Sequence, residues 1–380
     1  MQIRSDVVVG RRFFMMLGFA IVALGLAVDI VNVDFRAGID FHTYLAAANV
    51  GMQQGWSHIY DQGLVALAQK DLVPAQRSQP FLSPPTVAYL TAPLSPLPYS
   101  IAFFVWAIGT FMAFALALAW AGSGNGLVRW IPVFGALSTW WVMHAVDVGQ
   151  VVPLVAAGTV VAWRLLRDKR DIAAGLVLAT ILLKPNTAIL APLALLMAGR
   201  VRAFGAWVAA TLAVFLLVFL TLGANGMSAY MEQLMAPLPS GADSLTLHGA
   251  FGAAGAVAMT ARLLIVGIVF ATAYRLRNTP GLALAAGILG SLVIAPYLHG
   301  SDLCLLAAAG WMVWQDRPWV AWRIALGVAW VAASPFLYLY GKALPLRFWP
   351  WLEIALLVAL LLSAWRPFTA RADLRERAPA

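Results

Sequence analysis

Gly38-Ile-Asp-Phe-His-Thr-Tyr44 sets a carboxylate, an imidazole and a phenol within five residues, Asp40 to Tyr44. A carboxylate in such company suits general-base work on a hydroxyl. Asp40 equally suits the N-cap of a helix starting near Phe41. His42 shares a face with Asp40 only if the chain is extended there; otherwise it reads as an interfacial, solvent-facing histidine. In Tyr297-Leu-His-Gly-Ser-Asp302, His299 ends an apolar run, where its ring meets an anion or water. Asp302 supports His299 or caps the next helix. Lys184, in Leu183-Lys-Pro185, is a cation at a proline-broken junction. Such a place suits a buried anion, or a side chain snorkelling to headgroups. Arg262 falls inside an apolar run, where a charge is costly unless it is paired or wet. Asp29 and Glu353 are its candidate partners. His144, Asp147 and Gln150 border one loop, in supporting polar roles.

The elements that position these groups are membrane helices. The 380 residues are 62% hydrophobic and 11% charged, with mean hydropathy +0.83. That is far more apolar than a soluble domain, and many runs approach the ~20 residues a bilayer-crossing helix needs. The expected fold is therefore an all-α polytopic bundle forming a single membrane domain over 1–380, with about twelve spans. Their approximate bounds are 13–31, 99–121, 129–144, 148–166, 172–183, 187–198, 203–222, 251–274, 281–297, 303–315, 319–337 and 348–365. The first run lacks a small-x-small cleavage site and reads as an anchor, not a signal peptide.

Between the first two spans lies a polar interval, part of an external loop over 32–98. It holds two helical patterns, 44–52 and 64–72, that suit the membrane interface. After it, Phe81 to Pro98 carries five prolines, which exclude a plain span and leave a short broken helix re-entering the outer leaflet. Of 25 basic residues, 18 fall on one predicted side, six on the other, and Arg262 within a span. This bias puts both termini, including a tail over 367–380, in the cytoplasm. All five histidines then face outward, as do most of the acids. The net charge of +9 reflects this anchoring, not nucleic-acid binding.

The order of these motifs is similar to that of the GT-C glycosyltransferases, in particular glycosyltransferase family 87. It runs from Asp40 and Gly55-Trp-Ser-His-Ile-Tyr-Asp61 through Phe81-Leu-Ser-Pro-Pro85 and Pro93-Leu-Ser-Pro-Leu-Pro98. Asp147-Val-Gly-Gln150, Leu183-Lys-Pro185 and Tyr297 to Asp302 complete it. The resemblance extends from about residue 13 to 315. It implies a polyprenyl-phosphate-linked sugar donor, mannose in the first instance, and a lipid or glycan acceptor at the outer face of a bacterial cytoplasmic membrane. It further implies inversion, with Asp40 as general base, His299 near the donor phosphate, and Lys184 and Arg262 as phosphate-binding candidates. Arg36, Lys70, Arg77 and Arg347 come next for the phosphate, and Asp34, Asp61 and Asp147 for the base.

No cofactor is implied. One cysteine, Cys304, excludes an intrachain disulfide and a cysteine metal cluster. There is no His-Glu-x-x-His and no Walker loop, so catalysis is expected to be metal-independent and the activated sugar to arrive on lipid. The rivals from other classes are a secondary transporter or flippase-like protein, and a non-catalytic envelope scaffold. Twelve spans with broken helices fit a transporter, but no repeat relates the halves and the polar groups gather at one face.

Overall fold

In the computed structural model, residues 2–32, 38–236, 244–316 and 319–364 are described. Asp34, Arg36 and the tail 367–380 lie outside them. The described residues are helical, with no strand. α1 (Gln2–Asn32) is followed by α2 (Ile39–Gln54), α3 (Gln62–Leu72), α4 (Pro85–Thr91) and α5 (Tyr99–Ala121). Next come α6 (Leu127–Leu137), α7 (Trp140–Asp147), α8 (Val152–Arg167), α9 (Asp171–Val177), α10 (Leu190–Met197) and α11 (Val201–Met235). The chain continues with α12 (Leu247–Phe251), α13 (Gly255–Arg275), α14 (Pro280–Ile294), α15 (Cys304–Gln315), α16 (Val320–Ala332), α17 (Pro335–Leu339) and α18 (Trp349–Ser363).

Six helical stretches are long and apolar enough to cross a bilayer: Phe13–Asn32, Tyr99–Ala121, Val201–Met235, Gly255–Arg275, Val320–Leu339 and Leu346–Ser363. They leave large apolar side chains such as Phe14, Leu24, Leu220 and Leu264 exposed. In water such surface would be a liability; against lipid tails it is the solvated face. The other runs in the expected set of about twelve form shorter helices. The run 129–144 is two helices, α6 and α7, parted at Ser138–Thr139, and the run 203–222 extends as α11 to Met235. Within α11, Gly223 sits at φ 64°, ψ −175° and bends the helix, a conformation that favours glycine.

Short helices inside a membrane protein are tolerated where neighbouring protein satisfies their freed backbone groups. α14 shows this: its residues 280 to 293 are all buried, and it packs on α8, α10, α13, α15 and α18. At the break between α9 and α10, the Leu190 backbone N–H donates to the Ser291 hydroxyl of α14 (2.9 Å).

The interval before α5 is where structure and expectation differ most usefully. α2 does not lie along an interface: ten of its 16 residues are buried, and it packs on α3 and α4. Its small residues, Ala46, Ala47, Ala48 and Gly51, let neighbours approach closely. A Cβ on Gly51 would stand 2.4 Å from the Trp56 ring. The prolines after it bracket elements instead of breaking one. Pro85 opens α4 at a position where its missing N–H costs nothing, and Pro98 precedes α5. A short helix does stand here, α4 with a 3-10 turn at Ala92–Leu94, but Pro85 and Pro93 lie at the starts of these two elements and break neither.

Candidate active site

The site begins where α7 ends. Asp147 to Gln150 turn sharply through Gly149 at φ 73°, and this turn meets the start of α2. The Gly38 N–H donates to the Asp147 carbonyl (3.0 Å), while the N–H groups of Asp40 (2.8 Å) and Phe41 (3.4 Å) donate to the Val148 carbonyl. Helix N-termini leave backbone donors without intrahelical partners; here another segment's backbone satisfies them. α2 accordingly has no side-chain cap, and the N-cap role open to Asp40 is not one it performs. A Cβ on Gly149 would stand 2.5 Å from Phe41 Cβ. Gly149→Ala should therefore lose about 1–3 kcal/mol or more through strain and clash, read as a lower thermal midpoint in detergent. Parent-like stability would contradict this account of the turn.

With the cap supplied by backbone, the Asp40 carboxylate is used otherwise. Its Oδ2 accepts from Gln150 Nε2 (2.8 Å). Gln150 Oε1 in turn accepts from the Tyr44 hydroxyl (3.0 Å). Asp40 and Tyr44 are four residues apart, so α2 presents both on one face. Ser83, just before α4, lies near enough to the Tyr44 phenol to favour its ionised form slightly against burial. Trp106 of α5 anchors the turn by donating to the Gly149 carbonyl (2.8 Å).

The facing wall comes from two helix breaks. α9 tightens into a 3-10 helix, Leu178–Leu183, and Lys184 follows in a non-helical conformation, φ −153° and ψ 76°, before Pro185. Lys184 Nζ pairs with Asp302 Oδ1 at 2.6 Å, the lysine 9% and the aspartate 0% exposed in side chain. The snorkelling alternative for Lys184 is thus replaced by a buried ion pair. Asp302 Oδ2 accepts the His299 backbone N–H (2.9 Å), so this carboxylate both holds the turn after α14 and fixes the lysine. Asn186 Nδ2 donates to the Tyr297 carbonyl (3.1 Å) and ties the two breaks together.

Electrostatics join the walls. Burial pushes the Asp40 carboxyl up; Lys184, His299 and the Gln150 hydrogen bond pull against this, and the net direction is upward. Burial disfavours the charged Lys184, but the Asp302 and Asp40 carboxylates outweigh it and hold the ammonium above its ordinary value. Burial pushes His144 down, with Asp40 raising it and His299 lowering it further. Asp40, Gln150, Tyr44, Lys184, Asp302, His144 and His299 therefore form one polar cluster, with His299 exposed at its edge.

Two expected residues fall elsewhere. His42 neither faces solvent nor joins Asp40. Two helix positions turn it to the opposite side, where it is buried and its Nε2 donates to the Gln69 carbonyl (2.7 Å). That bond fastens α2 to α3. Arg262 forms no ion pair with any described residue, Asp29 and Glu353 included. Asp147 joins the site through its backbone carbonyl. Tyr297 and Ser83 were not singled out, although both stand inside the quoted motifs. Tyr297 lies within electrostatic reach of Lys184 and Asp302. Among the described residues, no three His, Cys, Asp or Glu side chains converge as a metal site requires.

Spanning helices around a partly buried carboxylate, an ion-paired lysine and aligned amide and phenol groups define a membrane protein with the layout of an enzyme. Residues 81–299, more than half of the chain, match the model of glycosyltransferase family 87. The chain belongs to that family and is a membrane glycosyltransferase. The matched span includes Ser83, Gln150, Lys184 and His299, while Asp40 and Asp302 flank it. No curated protein and no solved structure compared with the chain matches it.

Proposed function

We propose that the protein transfers a sugar, mannose in the first instance, from a polyprenyl-phosphate donor to a lipid or glycan acceptor. Transfer takes place at the outer face of a bacterial cytoplasmic membrane and inverts the anomeric carbon. The observation that carries this reading is the buried Lys184–Asp302 pair facing the Asp40 carboxylate, in a member of a glycosyltransferase family. Asp40 takes the proton of the acceptor hydroxyl as that oxygen bonds to C1 of the sugar. The C1–O bond to phosphate breaks, and polyprenyl phosphate departs with its electron pair. A phosphate is a weakly basic leaving group, so stabilisation by a cation serves better than strong protonation. Lys184 supplies that charge, and His299 lies at the edge where a headgroup enters.

A cavity of about 330 Å³ supports the lipid-linked donor. It is lined by apolar residues of α1, α6, α15, α16 and α18, together with Trp141 of α7 and Leu303 just before α15. Leu303 follows Asp302 directly, and the Trp141 ring packs against Gly300, so the cavity abuts the charged site. The test is transfer by purified protein in liposomes, using a panel of radiolabelled polyprenyl-phosphate sugars with total membrane lipid as acceptor. Label should move from one donor, mannose first; transfer from none overturns the reading.

The sidedness carries its own expectation. In a Cys304→Ala background, where the buried native thiol is gone, His58→Cys should react with an impermeant thiol reagent in intact cells. Asp168→Cys, also exposed in the fold, should not. Labelling at 168 alone would reverse the orientation.

A further inference from the structure

We propose that Gln150 is the positioning residue for Asp40: its amide, held by Tyr44, donates to one carboxylate oxygen and leaves the other to receive the acceptor proton. The proposal rests on the reading of Asp40 as the base. Its geometry is closed on three sides. The Tyr44 hydroxyl donates to Gln150 Oε1 (3.0 Å) and Gln150 Nε2 donates to Asp40 Oδ2 (2.8 Å). A charged carboxylate can only accept, so the amide nitrogen is the end that faces Asp40, and the amide oxygen is left to accept from the Tyr44 hydroxyl. An ionised carboxylate only accepts, so the chain from tyrosine to glutamine to aspartate is complete with Asp40 charged. Gln150 is itself 4% exposed, and its backbone N–H donates to the Ala145 carbonyl (2.8 Å). The amide is thereby fixed at both ends. Asp40 Oδ1 takes no hydrogen bond from a described residue.

The arrangement makes a prediction about acid pH. A hydrogen bond donated to the charged form favours it. Gln150 therefore works with Lys184 and His299 against burial and against Asp302. The other groups around Asp40 are His144 on α7, Tyr44 on its own helix and Asp147 at the adjoining turn. From α5, Tyr99 donates to the Gly38 carbonyl (3.0 Å). On α3 and the 56–58 turn, Lys70, Asp71 and His58 are exposed to solvent. Removing the Gln150 donor raises the Asp40 titration midpoint. A base works only when ionised, so the acidic limb of the rate profile moves to higher pH.

The test needs no substrate in its first arm. Infrared pH titration of the full chain in nanodiscs, with the band assigned by difference against Asp40→Asn, reads the carboxyl directly. Gln150→Leu should raise its midpoint by about one pH unit or more, the scale of a hydrogen bond to a charged group. Tyr44→Phe frees the amide without moving a carbon atom and should shift the midpoint less, in the same direction. That variant carries the test if Gln150→Leu fails to fold. In the second arm, kcat/KM against pH with polyprenyl-phosphate mannose should show the acidic limb displaced by the same amount in each variant. A merely structural glutamine would lower the rate at every pH and leave the limb in place. An unmoved midpoint and limb, with Asp40→Asn inactive, overturn the role of Gln150 and spare that of Asp40. Normal turnover by Asp40→Asn removes the base and this proposal with it.

Discussion

Asp40→Asn is expected to fold and bind donor like the parent while turning over about 10²–10⁴-fold more slowly, the usual contribution of a general base. The asparagine keeps an oxygen that accepts from Gln150 Nε2 and so preserves the one hydrogen bond the side chain makes among the described residues. It loses only the ability to take a proton. Stability gives a clean control, because the N-terminal donors of α2 are satisfied by the Asp147 and Val148 carbonyls and not by residue 40. Asp40→Ala likewise removes no helix cap, but it strands the buried Gln150 Nε2 donor and should lose about 1–3 kcal/mol that Asp40→Asn keeps. Single-turnover rates at saturating donor, with thermal midpoints beside them, check both statements. A well-folded Asp40→Asn protein with parent turnover would move the base to Asp34, Asp61 or Asp147.

The second large effect is at Lys184. Lys184→Ala leaves Asp302, fully buried, without the ammonium that sits 2.6 Å from its Oδ1. Removing one partner of a buried pair costs about 3–5 kcal/mol because the other charge is stranded. The thermal midpoint should fall by several degrees, and donor binding should fall too if the ammonium meets the phosphate. Lys184→Met combined with Asp302→Asn separates these effects, since no charge is left stranded and the amide oxygen still accepts the His299 N–H that holds the turn. The double variant should recover much of the stability and none of the donor affinity, measured by equilibrium binding of labelled donor. Recovery of both would make the pair purely structural and place the phosphate elsewhere.

Much of this site was legible because chemistry and backbone breaks coincide in the sequence. Lys184 stands before a proline between two short apolar runs, His299 directly before a glycine with Asp302 two residues past it, and Gln150 directly after one. Each marks an end of regular structure, and the fold brings these ends together. What stayed hidden depends on distant segments. Asp40 reads as a cap because aspartate caps well, yet the Val148 carbonyl, far along the chain, arrives first. The direction of His42 turns on whether the chain is helical or extended at that point, which composition around it does not decide. α2 carries enough alanine and glycine to be buried on every side, and the same residues would suit an interfacial helix. Span lengths also misled: hydropathy counts apolar residues, while α9, α10 and α14 are cut short by breaks whose backbone groups find partners within the protein.

The most direct measurement is a structure of the Asp40→Asn protein with a polyprenyl-phosphate sugar bound. The donor phosphate should lie within about 3 Å of Lys184 Nζ, a charge-assisted hydrogen bond, with C1 of the sugar turned toward residue 40. The lipid chain should enter the cavity beside Trp141 and Leu303. A headgroup seated at Arg262, or a sugar turned away from residue 40, would contradict the account.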